Sequence, residues 1–194
     1  GGGGPSRPGS QRHAHTFIGA TPERLSENIL LRVQAVQEDN HLVVTAEVEN
    51  RCGHNFPTGI SIRNALLLVQ ASIGGQPLVQ AAGPVLPFWA SDEVPGTQPG
   101  DYAGQPGKGF AKVLSGRING AGEVQRPVLF IDAEGVDSST GIPSGSTDVT
   151  QLRFAIPPGL AAGAAASIDT RLLYRRAWRA LAVTKGWTQT PGGM

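Results

Sequence analysis

Residues 41–50, HLVVTAEVEN, alternate apolar and polar side chains with a period of two. That period sets Leu42, Val44, Ala46 and Val48 on one face of an extended strand and Thr45 and Glu47 on the other, whereas a helix would scatter the same residues round its circumference. The run before it, NILLRVQAV from Asn28, repeats the pattern with Leu31, Val33 and Ala35 against Arg32 and Gln34, and QEDN supplies a polar turn between them. The two segments are expected to form a hairpin of half-buried strands.

Comparable runs recur along the chain, punctuated by 27 glycines and 15 prolines. IRNALLLVQASI leads through Gly74-Gly75 into QPLVQAA, and two glycines accept the positive φ of a tight hairpin turn, so a second hairpin is expected here. PVLFI at 127–131 reads as a short buried strand. DVTQLRFAIPPG alternates Leu152, Phe154 and Ile156 against Gln151 and Arg153, and ASIDTRLLYRRA alternates Ile168, Leu172 and Tyr174 against Asp169 and Arg171. AWRALAVTKG then suits a short helix ended by Gly186. Strands divided by Gly/Pro turns, without regular alternation with helices, predict an all-β fold: an antiparallel, immunoglobulin-like sandwich of about seven or eight strands.

The organisation follows from composition. Residues 1–27 are expected to form an extended Gly/Pro-rich tail and a His-containing docking segment, since GGGGPSRPGS offers too little apolar surface to offset the entropy of ordering. The sandwich is expected to occupy 28–186, with 187–194 as a C-terminal tail. Between 83 and 109 a Gly/Pro-dense loop is too long for a turn, and its Phe88, Trp89 and Tyr102 are candidates to pack against a partner. The chain opens on glycine and its single Met is the last residue, which suits a processed or partial chain.

Charge and motifs exclude several function classes. A formal charge of +1 without a Lys/Arg run lacks the basic face that nucleic acid requires. No apolar stretch reaches the length of a membrane-spanning helix. Gly-x-Ser-x-Gly, His-Glu-x-x-His and a Walker loop are all missing, GQPGKGFAK having the wrong spacing, and the acidic residues Asp92, Glu93, Asp132, Glu134 and Asp137 read as surface or turn charges. Catalytic constellations are therefore thin, and a structural role is expected before catalysis; the resemblance drawn below implies electron transfer.

Four histidines remain: His13, His15, His41 and His54. His41, beside Asp39-Asn40, reads as a solvated turn residue. His13 and His15 are two apart and point the same way in an extended chain, so they are either a pair of tail histidines or two imidazoles presented to one metal or cofactor. A neutral imidazole held at the right height also serves as an axial ligand to haem iron. His54 lies in CGHNFPTG, where Phe56-Pro57-Thr58-Gly59 suits a type I turn; it is either a corner histidine bonded to backbone or a site residue. Cys52 and His54 are two ligands without a matching pair, which does not make a zinc site.

Taken in order, HTFIGA at 15–20, VENRCGHNFPTG at 48–59 followed by IRNALLLV, DYAGQPGK from 101 and RLLYRRA from 171 resemble the C-terminal β-sandwich region of multihaem c-type cytochromes. The resemblance covers nearly the whole chain after residue 12. It implies a sandwich that caps or scaffolds a stack of covalently bound haems, with His15 as a distal axial ligand to haem iron, His13 as its neighbouring alternate, and His54 as corner former and haem neighbour. The chain has no Cys-x-x-Cys-His, so the haem c would be bound covalently by a partner chain or an upstream segment. Where the family often reads Asp-Thr-Arg-Ile-Pro, this chain has Ser139-Thr140-Gly141-Ile142-Pro143. Such assemblies mature outside the cytoplasm, so the resemblance also implies a periplasmic or extracellular protein within a larger complex. The alternative is a cofactor-free extracellular scaffold or adhesion sandwich.

Overall fold

β1 (Ile29–Glu38) and β2 (His41–Asn50) pair antiparallel from Ile29↔Asn50 to Glu38↔His41. The two-residue turn between them is made by Asp39, at φ 50°, and Asn40. Asp tolerates the left-handed region because its short carboxylate can bond local backbone. Leu42, Val44, Ala46 and Val48 are all buried, as the alternation requires. The β1 arm differs from expectation: Leu31 is half-buried, while Val33, Ala35 and Val36 are exposed. As the outermost strand, β1 pairs only with β2, and its far half overhangs the core.

The coordinates are a computed structural model that describes residues 21–90, 101–159, 164–184 and 186. Within them the chain is an antiparallel β-sandwich of nine strands in two sheets, as the alternating runs predict, with more strands than the seven or eight read from sequence. One sheet has the order β1-β2-β8-β5, with β5 at Val79–Ala82 and β8 at Thr147–Ala155. The other is built on β3 (Asn64–Ile73), which carries β9 (Ala166–Arg175) along its whole length. Against its opposite edge lie β6 (Gly107–Ser115) and, end to end with it, the two-residue β4 (Gln76–Pro77); β7 (Gly135–Ser139) pairs β6.

Between the sheets lies the main core, formed by the inward residues of β2, β3 and β8 with Phe56, Phe110 and Ile142. β3 is buried on both faces, since Leu66 and Leu68 point away from this core into a second one. That second core is covered by Leu86, Trp89 and Tyr102 from the long Gly/Pro segment and by Trp178 beside α2 (Arg179–Thr184). Trp89 and Trp178 meet edge to face with ring centroids 5.3 Å apart. Trp89 is therefore a lid on the outer face of the sheet, not an exposed partner contact, and Tyr102 packs beside it; Phe88 is exposed, under the Arg126 guanidinium. Burying each large side chain in these cores stabilises the fold by about 1.5–3 kcal/mol.

Several local expectations are corrected. Residues 22–27, assigned to the tail and docking segment, form with Asn28 the helix α1 (Pro22–Asn28), with Thr21 as N-cap and Pro22 at the first position. The Gly74-Gly75 turn occurs, with both φ positive, but the hairpin pairs only Ser72↔Pro77 and Ile73↔Gln76. The chain then crosses to the other sheet as β5. PVLFI buries only Val128; Phe130–Asp132 is a 3-10 turn with Phe130 and Ile131 exposed. β6 begins inside the glycine-rich stretch read as loop, because Gly109 has no side chain and Trp89 occupies the space: a Cβ there would lie 2.6 Å from the ring's Cζ2.

Candidate functional site

β2 ends at Asn50, and everything that shapes the following corner hangs on that side chain. Asn50 is fully buried. Its Nδ2 donates to the carbonyls of His54 at 2.8 Å, Ile142 at 2.9 Å and Pro143 at 3.1 Å, while its Oδ1 accepts from the Cys52 N–H at 3.0 Å. One amide thus ties the 52–54 bend to the 142–143 segment, which is distant in sequence. Phe56 and Ile142 then exchange both backbone bonds, at 2.8 and 2.7 Å, and the Ser144 hydroxyl donates to the Cys52 carbonyl at 2.7 Å. The Phe56–Pro57 peptide is cis, a feature that the type I turn expectation did not include, and Gly59 has φ +85°.

His54 sits on the outside of this corner, exposed. Its Nδ1 lies 3.1 Å from the Asn55 carbonyl. A carbonyl only accepts, so Nδ1 is the donor in this contact. Fixing one imidazole nitrogen on a backbone carbonyl and leaving the other free is how proteins present a histidine to a metal. Corner former and ligand-competent imidazole are therefore compatible roles for the same residue. Cys52 is half-buried, and burial pushes its thiol pKa up. Among the described residues no three His, Cys, Asp or Glu side chains are grouped to hold a metal ion. His13 and His15 lie outside the described residues.

Beneath the corner, Phe56 packs on Tyr174 with ring centroids 5.9 Å apart. Tyr174 stands opposite Ala65 in the β3–β9 register, near the strand ends. Burial pushes its hydroxyl pKa up, and the charges of Arg63 and Arg176, with a hydrogen bond from Arg63, pull against that shift. Arg63 Nη1 also reaches the Thr58 carbonyl at 3.4 Å. Its Nη1 lies 2.9 Å from where a Cβ on Gly59 would stand, and the φ of +85° at Gly59 is what favours glycine as the last residue of the Pro-Thr-Gly turn. Sequence reasoning missed this arginine: its only signal is a charge immediately ahead of an apolar strand.

The acidic residues behave as surface charges where they are described. Glu134 pairs with Arg117, Asp137 with Arg126, and Asp132 accepts the Asn119 N–H. The DYAGQPGK stretch is structural: Asp101, only 4% exposed, pairs with Arg179 at 2.8 Å and so ties the segment to α2. Arg175 of RLLYRRA is buried and donates to the Ala90 carbonyl at 2.8 Å, which holds the aromatic lid in place.

No protein-family model matches this sequence, nor does any curated protein. Among solved structures the fold is similar to that of a penta-haem cytochrome c552 from Thermochromatium tepidum, with a TM-score of 0.56 and 20% sequence identity. The match covers 87% of this chain and 37% of the cytochrome's, so this chain corresponds to a little over a third of that protein. At that identity the likeness is one of fold: an antiparallel sandwich that also occurs inside a multihaem cytochrome.

Proposed function

We propose that this chain is a haem-less β-sandwich part of a multihaem c-type cytochrome assembly, accessory or C-terminal, that scaffolds the haem stack and serves electron transfer rather than catalysis. The observation that carries the reading is the fold likeness, over 87% of the chain, to a protein with five haems. A single cysteine cannot form a Cys-x-x-Cys-His attachment, so haem c in this reading is held by a partner chain or another segment. That haem would supply the redox couple. This chain's part would be positional: His15, with His13 as its alternate, would offer an imidazole to the iron of a haem held by another chain or segment, and His54 stands exposed at the corner that Asn50 holds. An imidazole supplied to the iron would suit electron transfer more than substrate turnover. The expected compartment is the periplasm or the cell exterior. Among the described residues no helix is long and apolar enough to cross a membrane.

The test is a visible absorption spectrum of the native assembly purified through this chain. A Soret band at stoichiometric intensity is expected, and its absence overturns the haem reading in favour of a cofactor-free scaffold. With haem present, His15→Ala is expected to convert one haem from low spin, and an unchanged low-spin signature would remove His15 as ligand while leaving the scaffold role intact.

A further inference from the structure

Along the described chain arginines are matched to carboxylates, from Arg24–Glu27 on α1 to Arg179–Asp101 at α2. Arg63 and Arg176 have no carboxylate within ion-pair distance among the described residues. They also occupy one place. The β3–β9 ladder ends at Asn64↔Arg175, the pair that Arg63 and Arg176 flank, and the charges of both act on the Tyr174 hydroxyl. Like charges gathered round one group repel, so this arrangement is a cost in the free protein unless an anion lies between them.

The surroundings are built to hold that geometry. Arg63 is half-buried and seated against Gly59, and the Thr58 carbonyl accepts from its Nη1 at 3.4 Å. A guanidinium has five N–H donors, so most of this fork is unspent. Arg176 is exposed and able to swing onto an incoming group. The Phe56–Tyr174 ring pair makes an apolar floor, and the Asn50 bonds keep the corner above it from moving.

We propose that Arg63, Arg176 and the Tyr174 hydroxyl form a binding site for a carboxylate presented by a docking partner, either a haem propionate or an acidic side chain. Two planar forks and a hydroxyl on an apolar floor match the two in-plane oxygens of a carboxylate, and partial burial strengthens charge-assisted bonds to it. The site does not depend on haem; only the propionate source rests on the reading above.

The experiment follows the side-chain Nε–Hε NMR signals of Arg63 and Arg176 in the full ¹⁵N-labelled chain. The probes are zinc protoporphyrin IX, its dimethyl ester, a glutamate-rich peptide and inorganic phosphate. Saturable shifts of both arginines are expected with a carboxylate probe and not with the ester, and Arg176→Gln is expected to weaken binding roughly tenfold. Arg63→Lys, which keeps the charge but loses the fork, should weaken it as well. A response to zinc protoporphyrin identifies the propionate source. A response to the peptide alone identifies an acidic side chain and supports the site while leaving the haem reading to the absorption spectrum. The proposal is overturned if neither carboxylate probe moves either signal, if the ester or phosphate acts as strongly as the carboxylates, or if Arg176→Gln binds as the parent chain does.

Discussion

Replacing Asn50 by alanine is expected to be among the most damaging single changes outside the apolar cores. The amide makes three donor contacts and one acceptor contact from a fully buried position. Two N–H groups serve three carbonyls, so the effective count is about three bonds, each worth about 1 kcal/mol net, and the part-buried Cys52 N–H left without its acceptor adds a desolvation cost of similar size. The expected loss is about 3–4 kcal/mol, or roughly 10 °C in Tm for a domain of this size. Urea unfolding followed by tryptophan emission measures it as a lower midpoint at unchanged slope. Asn50→Asp sharpens the test, because it preserves shape while aiming a carboxylate at carbonyl oxygens. At neutral pH it should cost at least as much as alanine. Its carboxyl, facing acceptors and buried, would titrate above the usual value of about 3.9, so the protonated, stabilising form persists at low pH and its contribution is lost as pH rises through the folded-state pKa. Losses below 1 kcal/mol for alanine, or an aspartate variant more stable than the alanine one at pH 7, would refute the idea that this amide holds the corner.

Two further outcomes are expected. Gly109→Ala should destabilise the fold by about 1–3 kcal/mol and alter the near-ultraviolet circular dichroism of the Trp89–Trp178 pair, because the new methyl enters the space of the Trp89 ring; an unchanged aromatic spectrum would contradict the packing. Cys52, its thiol pushed up by burial, should react with iodoacetamide more slowly than a free cysteine at pH 7.5 and gain rate as pH is raised, and a reaction as fast as glutathione's would count against that environment.

How far the strands could be read from sequence depends on what surrounds each one. β2, β8 and β9 each bury one face in the main core, so period-two alternation located Leu42, Val44, Leu152, Phe154 and Tyr174 on the correct side. β1 has the same alternation and is mostly exposed, because its partner strand, not its composition, decides whether a face is covered. β6 was hidden by Gly107 and Gly109, whose missing side chains make room for Leu67 backbone and the Trp89 ring and so erase the apolar signal. The role of Asn50 was equally silent: a buried asparagine at a strand end looks like any turn residue until the carbonyls of Ile142 and Pro143, ninety-two and ninety-three residues on, come to meet it. His54, by contrast, was placed at a corner by the Pro-Thr-Gly signature alone, though the cis peptide before Pro57 was not.

What unites the corner is that its order comes from hydrogen bonds rather than from burial of the residues it displays. His54 and Arg176 remain outside, Arg63 half-outside, yet the chain that carries His54 and Arg63 is fixed by Asn50, by the Phe56–Ile142 exchange and by the seat at Gly59. A partner binding such a surface does not have to order it first, and the side-chain and loop entropy that association ordinarily costs, about 0.5–1.5 kcal/mol per immobilised side chain, is largely met in folding. The same rigidity sets a limit: Arg63, seated against Gly59 just ahead of the β3–β9 ladder, serves best a group that arrives already shaped.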